Sequence, residues 1–86
     1  MKTGEFIIAF EEGLHARPAS ELVKVCSHLK SDIIMEKDGL TVDPKSILGI
    51  MALGAAKGDK VTVEVNGEDE EEAMAKIGLF FSESKG

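Results

Sequence analysis

The pattern of apolar and polar positions predicts four strands, separated by turns and helices. The apolar run "EFIIAF", residues 5–10, predicts a first strand. "DIIMEK" and "LTV" lie on either side of Asp38-Gly39, a strong two-residue turn signal, and so predict a hairpin. "DKVTVEV" alternates strictly between polar and apolar residues, which predicts a fourth strand with its three valines facing inward.

A helical period begins after the first strand. Apolar residues recur at three- and four-residue intervals from Ala19 to Cys26, as on one buried face of a helix. Pro18 fits only in the first turn, where a missing N–H costs nothing. We therefore expect the first helix to begin near Ala16, directly after His15, and Cys26 to belong to the core.

Two further segments predict helices. Apolar residues between 47 and 53 predict a short helix, with Ser46 as its N-cap and Gly54 just past its end. Residues 68–85 predict the last helix, because the acidic run "EDEEE" suits a helix N-terminus better than a metal site. Gly78 lies inside this helix at a cost of ~1 kcal/mol relative to Ala, and nothing in the sequence explains it.

These elements follow one another in the order β-α-β-β-α-β-α, which indicates an α+β fold. Amphipathic helices between single strands suggest two layers, with the three helices on one face of a four-stranded antiparallel sheet. A split β-α-β arrangement of the ferredoxin-like type shares much of this pattern, and the strand order stays open. With 86 residues, we expect a single domain spanning 1–86.

Charge and cysteine content narrow the function classes. The net charge of −6 argues against nonspecific binding to nucleic acid or to anionic membranes, and favours protein partners with basic patches. No apolar run approaches the ~20 residues of a membrane span, so we expect no membrane insertion. A single Cys cannot form an internal disulfide, and the N-terminus lacks a signal-peptide pattern. We expect a cytoplasmic protein.

The stretch "EEGLHARPAS" places unusual chemistry at the start of the first helix. The imidazole of His15 is a nucleophile that is partly neutral near neutral pH. Helix N-termini bind phosphate, and Arg17 could place a permanently charged fork beside a phosphoryl group. Gly13 would permit a tight loop, and Pro18 would stiffen the helix start. No second acid or base and no metal cluster accompany His15, so we expect neither a catalyst nor a metal or cofactor.

Spacing alone leaves other interpretations open. A lone histidine at a helix start is more often a surface residue or a cap than a nucleophile. Ser46 has a sufficient explanation as an N-cap, and regulatory phosphorylation is the functional alternative. A small-ligand-binding α+β domain is a further class, although nothing in the sequence indicates its pocket.

The sequence resembles the HPr family, the histidine-containing phosphocarrier proteins of the phosphoenolpyruvate-dependent sugar phosphotransferase system. "GLHARPAS", "KSILGIMALG" and "AAKGD" carry the resemblance, which covers essentially the whole chain. It implies an open-faced β-sandwich, a phosphoryl group accepted from enzyme I on Nδ1 of His15, and transfer to a IIA domain of a sugar permease. Arg17 matches the arginine that assists this transfer. A carrier that two partners grasp in turn is most simply a monomer.

The resemblance also gives Ser46 a regulatory role. In some HPr proteins the matching serine is phosphorylated by an HPr kinase/phosphorylase, and the modified protein is a co-repressor with a catabolite control protein. The alternative function is therefore a regulatory binding module with weak or no phosphotransfer through His15. The resemblance also predicts a docking surface for partners near the two sites, formed by Ala16, Ser20, Ile47, Leu48, Gly49 and Met51. Ile50 and Leu53 could belong either to that surface or to the core.

Two acidic residues depart from the family pattern. Glu12 stands where Thr, Ser or Asn is common, and its carboxylate would repel an arriving phosphoryl group, an effect to which Glu11 would add. Asp43 stands where Asn is frequent and would oppose a second negative charge near Ser46. Both substitutions predict lower efficiency rather than a different identity.

Overall fold

The computed structural model describes residues 1–83. Its elements are β1 (Lys2–Ile7), α1 (Ala16–Ser27), β2 (Asp32–Lys37), β3 (Leu40–Val42), α2 (Ile47–Leu53), β4 (Lys60–Asn66) and α3 (Glu70–Ser82). The predicted element order is confirmed, and so is the α+β class with three helices on one face of a four-stranded antiparallel sheet. The part of the last predicted helix beyond Glu83 lies outside the described residues.

The strand order, which the sequence left open, is β1-β4-β2-β3. All neighbouring pairs are antiparallel, with Lys2 opposite Val65 and Ile33 on the other side of Val65. It follows that β1 and β2 run parallel with β4 between them, and that β3 and β4 run parallel with β2 between them. Helices α1 and α2 each connect such a separated pair, which is the split β-α-β arrangement.

The first strand differs from its prediction. β1 spans Lys2–Ile7, whereas the apolar pattern predicted residues 5–10. Pairing with β4 begins at the polar residue Lys2, because backbone hydrogen bonds need no apolar side chain. Ile8 leaves the sheet and instead exchanges backbone hydrogen bonds with the loop before β4, its N–H donating to Asp59 at 2.9 Å and its carbonyl accepting from Gly58 at 2.8 Å.

The core lies between the sheet and the helices. The inward residues of the central strands are buried, as the alternation in β4 predicted; they are Ile33, Met35, Val61, Val63 and Val65. Four phenylalanines form a contiguous cluster that joins β1 and its following loop to α3. Their ring centroids are separated by 4.9 Å for Phe6 and Phe81, 5.1 Å for Phe80 and Phe81, and 5.6 Å for Phe10 and Phe80.

Candidate functional site

The loop that precedes α1 is fixed to the chain that follows α2. Leu14 donates its N–H to the carbonyl of Ala55 at 2.9 Å, and Gly13 donates to the carbonyl of Phe10 at 3.0 Å. Gly13 has a φ of 73°, and a Cβ at this position would lie 2.5 Å from the Ala55 carbonyl oxygen. Only glycine fits both conditions, so the loop geometry that presents His15 depends on it.

His15 is the N-cap residue of α1. Its backbone is extended, with φ −79° and ψ −171°, and its side chain makes no capping hydrogen bond. Its carbonyl accepts the N–H of Ala19 at 2.9 Å, which begins the helix. Pro18 has no N–H, so the N–H groups without an intrahelical acceptor in this turn are those of Ala16 and Arg17. The predicted helix start is confirmed. It presents the N–H groups of Ala16 and Arg17 beside the His15 side chain, which caps neither of them.

Two carboxylates precede His15, and they have different partners. The His15 side chain is 37% exposed, and its Nε2 lies 3.9 Å from Oε1 of Glu12, whose own side chain is 81% exposed. This contact does not engage the other ring nitrogen, Nδ1. Glu11 pairs with Lys57 at 2.6 Å, which offsets its charge. Arg17 is exposed, so its guanidinium can reach a group bound at the helix start.

Ser46 caps α2, as the sequence predicted. Its Oγ accepts the N–H of Gly49 at 3.2 Å, and the serine is exposed. Asp43 belongs to the same turn: its carbonyl accepts the N–H of Ser46 at 3.0 Å, and its carboxylate accepts the N–H of Lys45 at 2.8 Å. A phosphate on Ser46 would therefore add negative charge to a turn that already contains the Asp43 carboxylate.

His15 and Ser46 lie at opposite ends of the packed α1–α2 pair. The loop before His15 is bonded to Ala55, two residues past the end of α2. At the other end, Lys45 donates from Nζ to the carbonyls of Leu29 and Ser31, just past α1, at 3.0 and 3.1 Å. The two helices thus run in opposite directions, and the two sites are separated by about the length of α2, ~10 Å at 1.5 Å per residue.

The exposed apolar residues of α2 occupy the span between these sites. Ile47, Leu48 and Met51 are 40%, 78% and 45% exposed, whereas Ile50 and Leu53 are buried. The structure therefore assigns the last two to the core, which the sequence could not decide. Among the other residues predicted for docking, Ala16 is exposed, and Ser20 and Gly49 are half-buried.

Cys26 lies in the core, and burial raises the pKa of its thiol to about 12, with a smaller opposing effect from the nearby charge of Lys45. The thiolate is the reactive form of cysteine, so this side chain is unreactive at neutral pH. His28 is exposed and forms the C-cap of α1.

Sequence reasoning missed the residues that hold the site in place. Ala55 and Lys57 contact the loop before His15 from about 40 residues further along the chain, and Lys45 ties the other end of α1 to α2. Gly13 was the one signal in the sequence for such a contact, since glycine often marks a close approach of two backbone segments. A glycine does not identify which segment approaches it. Nothing in the local sequence distinguishes Lys57 from any other surface lysine.

Comparisons with known proteins agree with this geometry. The family model PTS-HPr, described as the PTS HPr component phosphorylation site, matches residues 2–83. The chain is a member of the HPr family. It is 41% identical over 76 residues to the HPr-like protein Crh of Bacillus subtilis strain 168, covering 88% of this chain and 89% of that protein. No helix within the described HPr-family fold is long and apolar enough to cross a membrane.

Solved HPr and Crh structures share the fold. HPr-C-His from Thermoanaerobacter tengcongensis matches with a TM-score of 0.92 and 41% identity, over 95% of this chain and 92% of that chain. Crh from Bacillus subtilis, solved as a dimer with a swapping domain, matches with a TM-score of 0.76 and 39% identity, over 98% of this chain and 97% of that chain. The HPr family consists of phosphocarriers of the phosphotransferase system, and its Crh members connect it to catabolite repression.

Proposed function

We propose that this HPr-family chain is a phosphocarrier that accepts a phosphoryl group on His15 from phosphorylated enzyme I and passes it to a sugar-specific IIA domain. The position of His15 at the N-cap of α1 carries the proposal, because its side chain is 37% exposed and makes no capping hydrogen bond. A histidine that only capped the helix would use its side chain to accept a first-turn N–H.

The proposed chemistry uses the groups that surround the ring. The Nδ1 lone pair of His15 forms the N–P bond as the bond from phosphorus to the donor enzyme breaks, and Nε2 keeps its proton. The N–H groups of Ala16 and Arg17 and the Arg17 guanidinium can donate to the phosphoryl oxygens. The reverse exchange transfers the group to the IIA domain. The chain is then a substrate of other proteins and not an enzyme with its own turnover.

Exposed apolar side chains beside the site support docking of both partners on one surface. Ile47, Leu48 and Met51 project from α2, and the exposed Ala16 and half-buried Ser20 lie on α1. Exposed apolar clusters of this kind mark protein–protein contacts, and Met adapts to different partners. Gly49 contributes by backbone contact and by close packing, since a Cβ there would lie 3.1 Å from the Asp43 carbonyl. A carrier that exchanges a phosphoryl group with enzyme I would act in the cytoplasm.

Incubation with enzyme I and phosphoenolpyruvate tests the proposal. We expect the intact mass to increase by one phosphoryl group, which mild acid removes because phosphohistidine is acid-labile. The His15→Ala variant should show no adduct while keeping the far-ultraviolet circular dichroism of the parent chain. An unmodified parent chain, or an adduct that persists in His15→Ala, would contradict the proposal.

Ser46 supports a second function, regulatory phosphorylation by an HPr kinase/phosphorylase followed by binding to a catabolite control protein. Its hydroxyl is exposed at the N-terminus of α2, where a phosphate is favoured by the helix dipole, next to the apolar residues Ile47 and Leu48. In the alternative form of this proposal the chain is mainly a regulatory module of the Crh kind, with weak or no transfer through His15.

Phosphorylation with ATP and the kinase distinguishes these forms. We expect an acid-stable phosphoryl adduct on the parent chain and none on Ser46→Ala, with the His15 reaction preserved in that variant. If only Ser46 is modified, the regulatory form is supported and the carrier is not. The expectation of a monomer stays a prediction, since relatives have been solved as dimers, and light scattering of the purified chain would check it.

A further inference from the structure

A groove between α1 and α3 lies outside the two sites described above. It has a volume of about 490 Å³, within the range of small-molecule sites. Its lining comes from the C-terminal halves of both helices: Lys24, Val25 and His28 from α1, and Lys76, Leu79 and Phe80 from α3. None of these residues belongs to the proposed phosphoryl site or to the α2 docking surface.

The floor of the groove is apolar and unusually open to solvent. Leu79 is 56% exposed, although the other large apolar residues of its helix are buried or half-buried. Val25 and Phe80 are half-buried beside it. The Phe80 ring is held against Phe81 and Phe10, so this part of the floor is preformed. An apolar body seated here would cover the Leu79 side chain.

Two lysines and a histidine line the sides of the groove, in a chain of net charge −6. Within residues 1–83, Lys24 forms no ion pair. Lys76 pairs with Glu72 at 2.9 Å, on an exposed surface where such a pair stabilises little. The exposed imidazole of His28 can donate to an anion. One carboxylate, that of Glu83, also lines the groove. Lys24 is therefore the main group that would attract an anion, because Lys76 already has Glu72 as a partner.

We propose that this groove binds a small organic carboxylate with an apolar body, such as a medium-chain acyl anion. The apolar body would lie over Leu79, Phe80 and Val25, and the carboxylate would accept hydrogen bonds from Lys24 and Lys76. Pockets of this type combine an apolar lining with a few convergent polar groups. The groove lies at the opposite end of α1 from His15. A ligand bound there would therefore leave the docking surface uncovered.

Titration of the isotope-labelled chain with octanoate, followed by amide chemical shifts, tests the proposal. Saturable shifts in the C-terminal halves of α1 and α3 are expected. Acetate lacks the apolar body and octylammonium has the opposite charge, so neither compound should produce these saturable shifts. No shifts, equal shifts with octylammonium, or shifts centred on α2 would overturn the proposal.

Matched variants identify the binding residues. Lys24→Gln combined with Lys76→Gln should weaken octanoate binding by about tenfold, and Lys60→Gln on the outer face of β4 should leave it unchanged. Leu79→Ser should weaken it as well, whereas Leu40→Ser, at a position 48% exposed in the hairpin, should not. Unaltered binding in both groove variants would overturn the assignment. His15→Ala should bind octanoate normally, so failure of phosphotransfer and failure of the groove proposal are distinguishable.

Discussion

At the scale of single residues, the environment of His15 is set by a few neighbours. The backbone N–H groups of Ala16 and Arg17 and the permanent charge of the exposed Arg17 side chain favour an anion at the helix start. Glu12 acts in the opposite direction at 3.9 Å from Nε2. Glu11 was expected to add to that effect, and the structure pairs it with Lys57 at 2.6 Å, which reduces the net charge at this position.

Replacing Glu12 with Thr should increase the rate of phosphoryl acceptance by about two- to fivefold. Two unit charges 4 Å apart in bulk water interact by ~1 kcal/mol. The 3.9 Å contact of Glu12 is with Nε2 and not with Nδ1, where the phosphoryl group would bind, and the 81% exposure of Glu12 allows solvent to screen its charge. Acid-labile phosphate formed with limiting enzyme I measures the rate. Glu64→Thr, which makes the same charge change on the outer face of β4, is the control. An unchanged rate for Glu12→Thr would show that the carboxylate has no influence on the reaction.

At the scale of elements, α3 contains a glycine that neither its helical backbone nor its packing requires. Gly78 lies inside the helix, and a Cβ there would meet the Phe6 ring at 3.6 Å, an ordinary contact distance. Gly13 is the opposite case, since it has a φ of 73° and a Cβ would clash with the Ala55 carbonyl. The structure thus separates a glycine that can be replaced from one that cannot.

Gly78→Ala should stabilise the chain by about 0.5–1 kcal/mol, because alanine loses less backbone entropy when a helix forms. Urea unfolding followed by circular dichroism measures the change. Gly13→Ala, the matched substitution, should destabilise the chain by more than 1 kcal/mol through backbone strain and the close contact. A loss of stability in Gly78→Ala would mean that the Phe6 ring cannot accommodate the added methyl group.

At the scale of the whole molecule, the segment between α1 and β2 is held from two sides. The Asp69 carboxylate, at the start of α3, accepts the N–H groups of Lys30 and Ser31 at 2.8 and 2.9 Å and also the Ser31 hydroxyl. From the other side, Lys45 donates to the carbonyls of Leu29 and Ser31. The hydrogen bonds from Lys30 and Ser31 lower the pKa of Asp69 below its ordinary 3.8.

Stability should therefore fall in acid partly through Asp69. A carboxyl whose pKa is lowered by folding stabilises the fold at pH values above its unfolded pKa. That stabilisation is lost as the pH falls from 3.8 through the lowered folded value. Urea midpoints measured from neutral pH to well below 3.8 should decline less steeply for Asp69→Asn than for the parent chain. Glu64→Gln, on the exposed outer face of the sheet, should follow the parent curve, and equal slopes for Asp69→Asn would contradict the assignment.

Local patterns in the sequence were sufficient for most of the elements and for the placement of His15 and Arg17 at the start of α1. Three signals depend only on neighbouring residues: the strict alternation in β4, the Asp38-Gly39 turn and the position of Pro18. Such local signals can be identified from the sequence alone. The same reasoning failed for β1, where pairing with β4 extended the strand over Lys2–Gly4 without an apolar signal. Strand pairing is a property of the partner strand as much as of the segment itself.

By itself, the sequence determined the order of the elements, the position of His15 at a helix start and of Ser46 at another, and the burial of Cys26. These follow from periodicity, capping and steric rules that act over a few residues. The tertiary structure alone decided the strand order, the close approach of Gly13 to Ala55, the burial of Ile50 and Leu53, and the groove beside Leu79. Each of these depends on which surfaces meet across long separations in the chain, where packing and not local preference selects the arrangement.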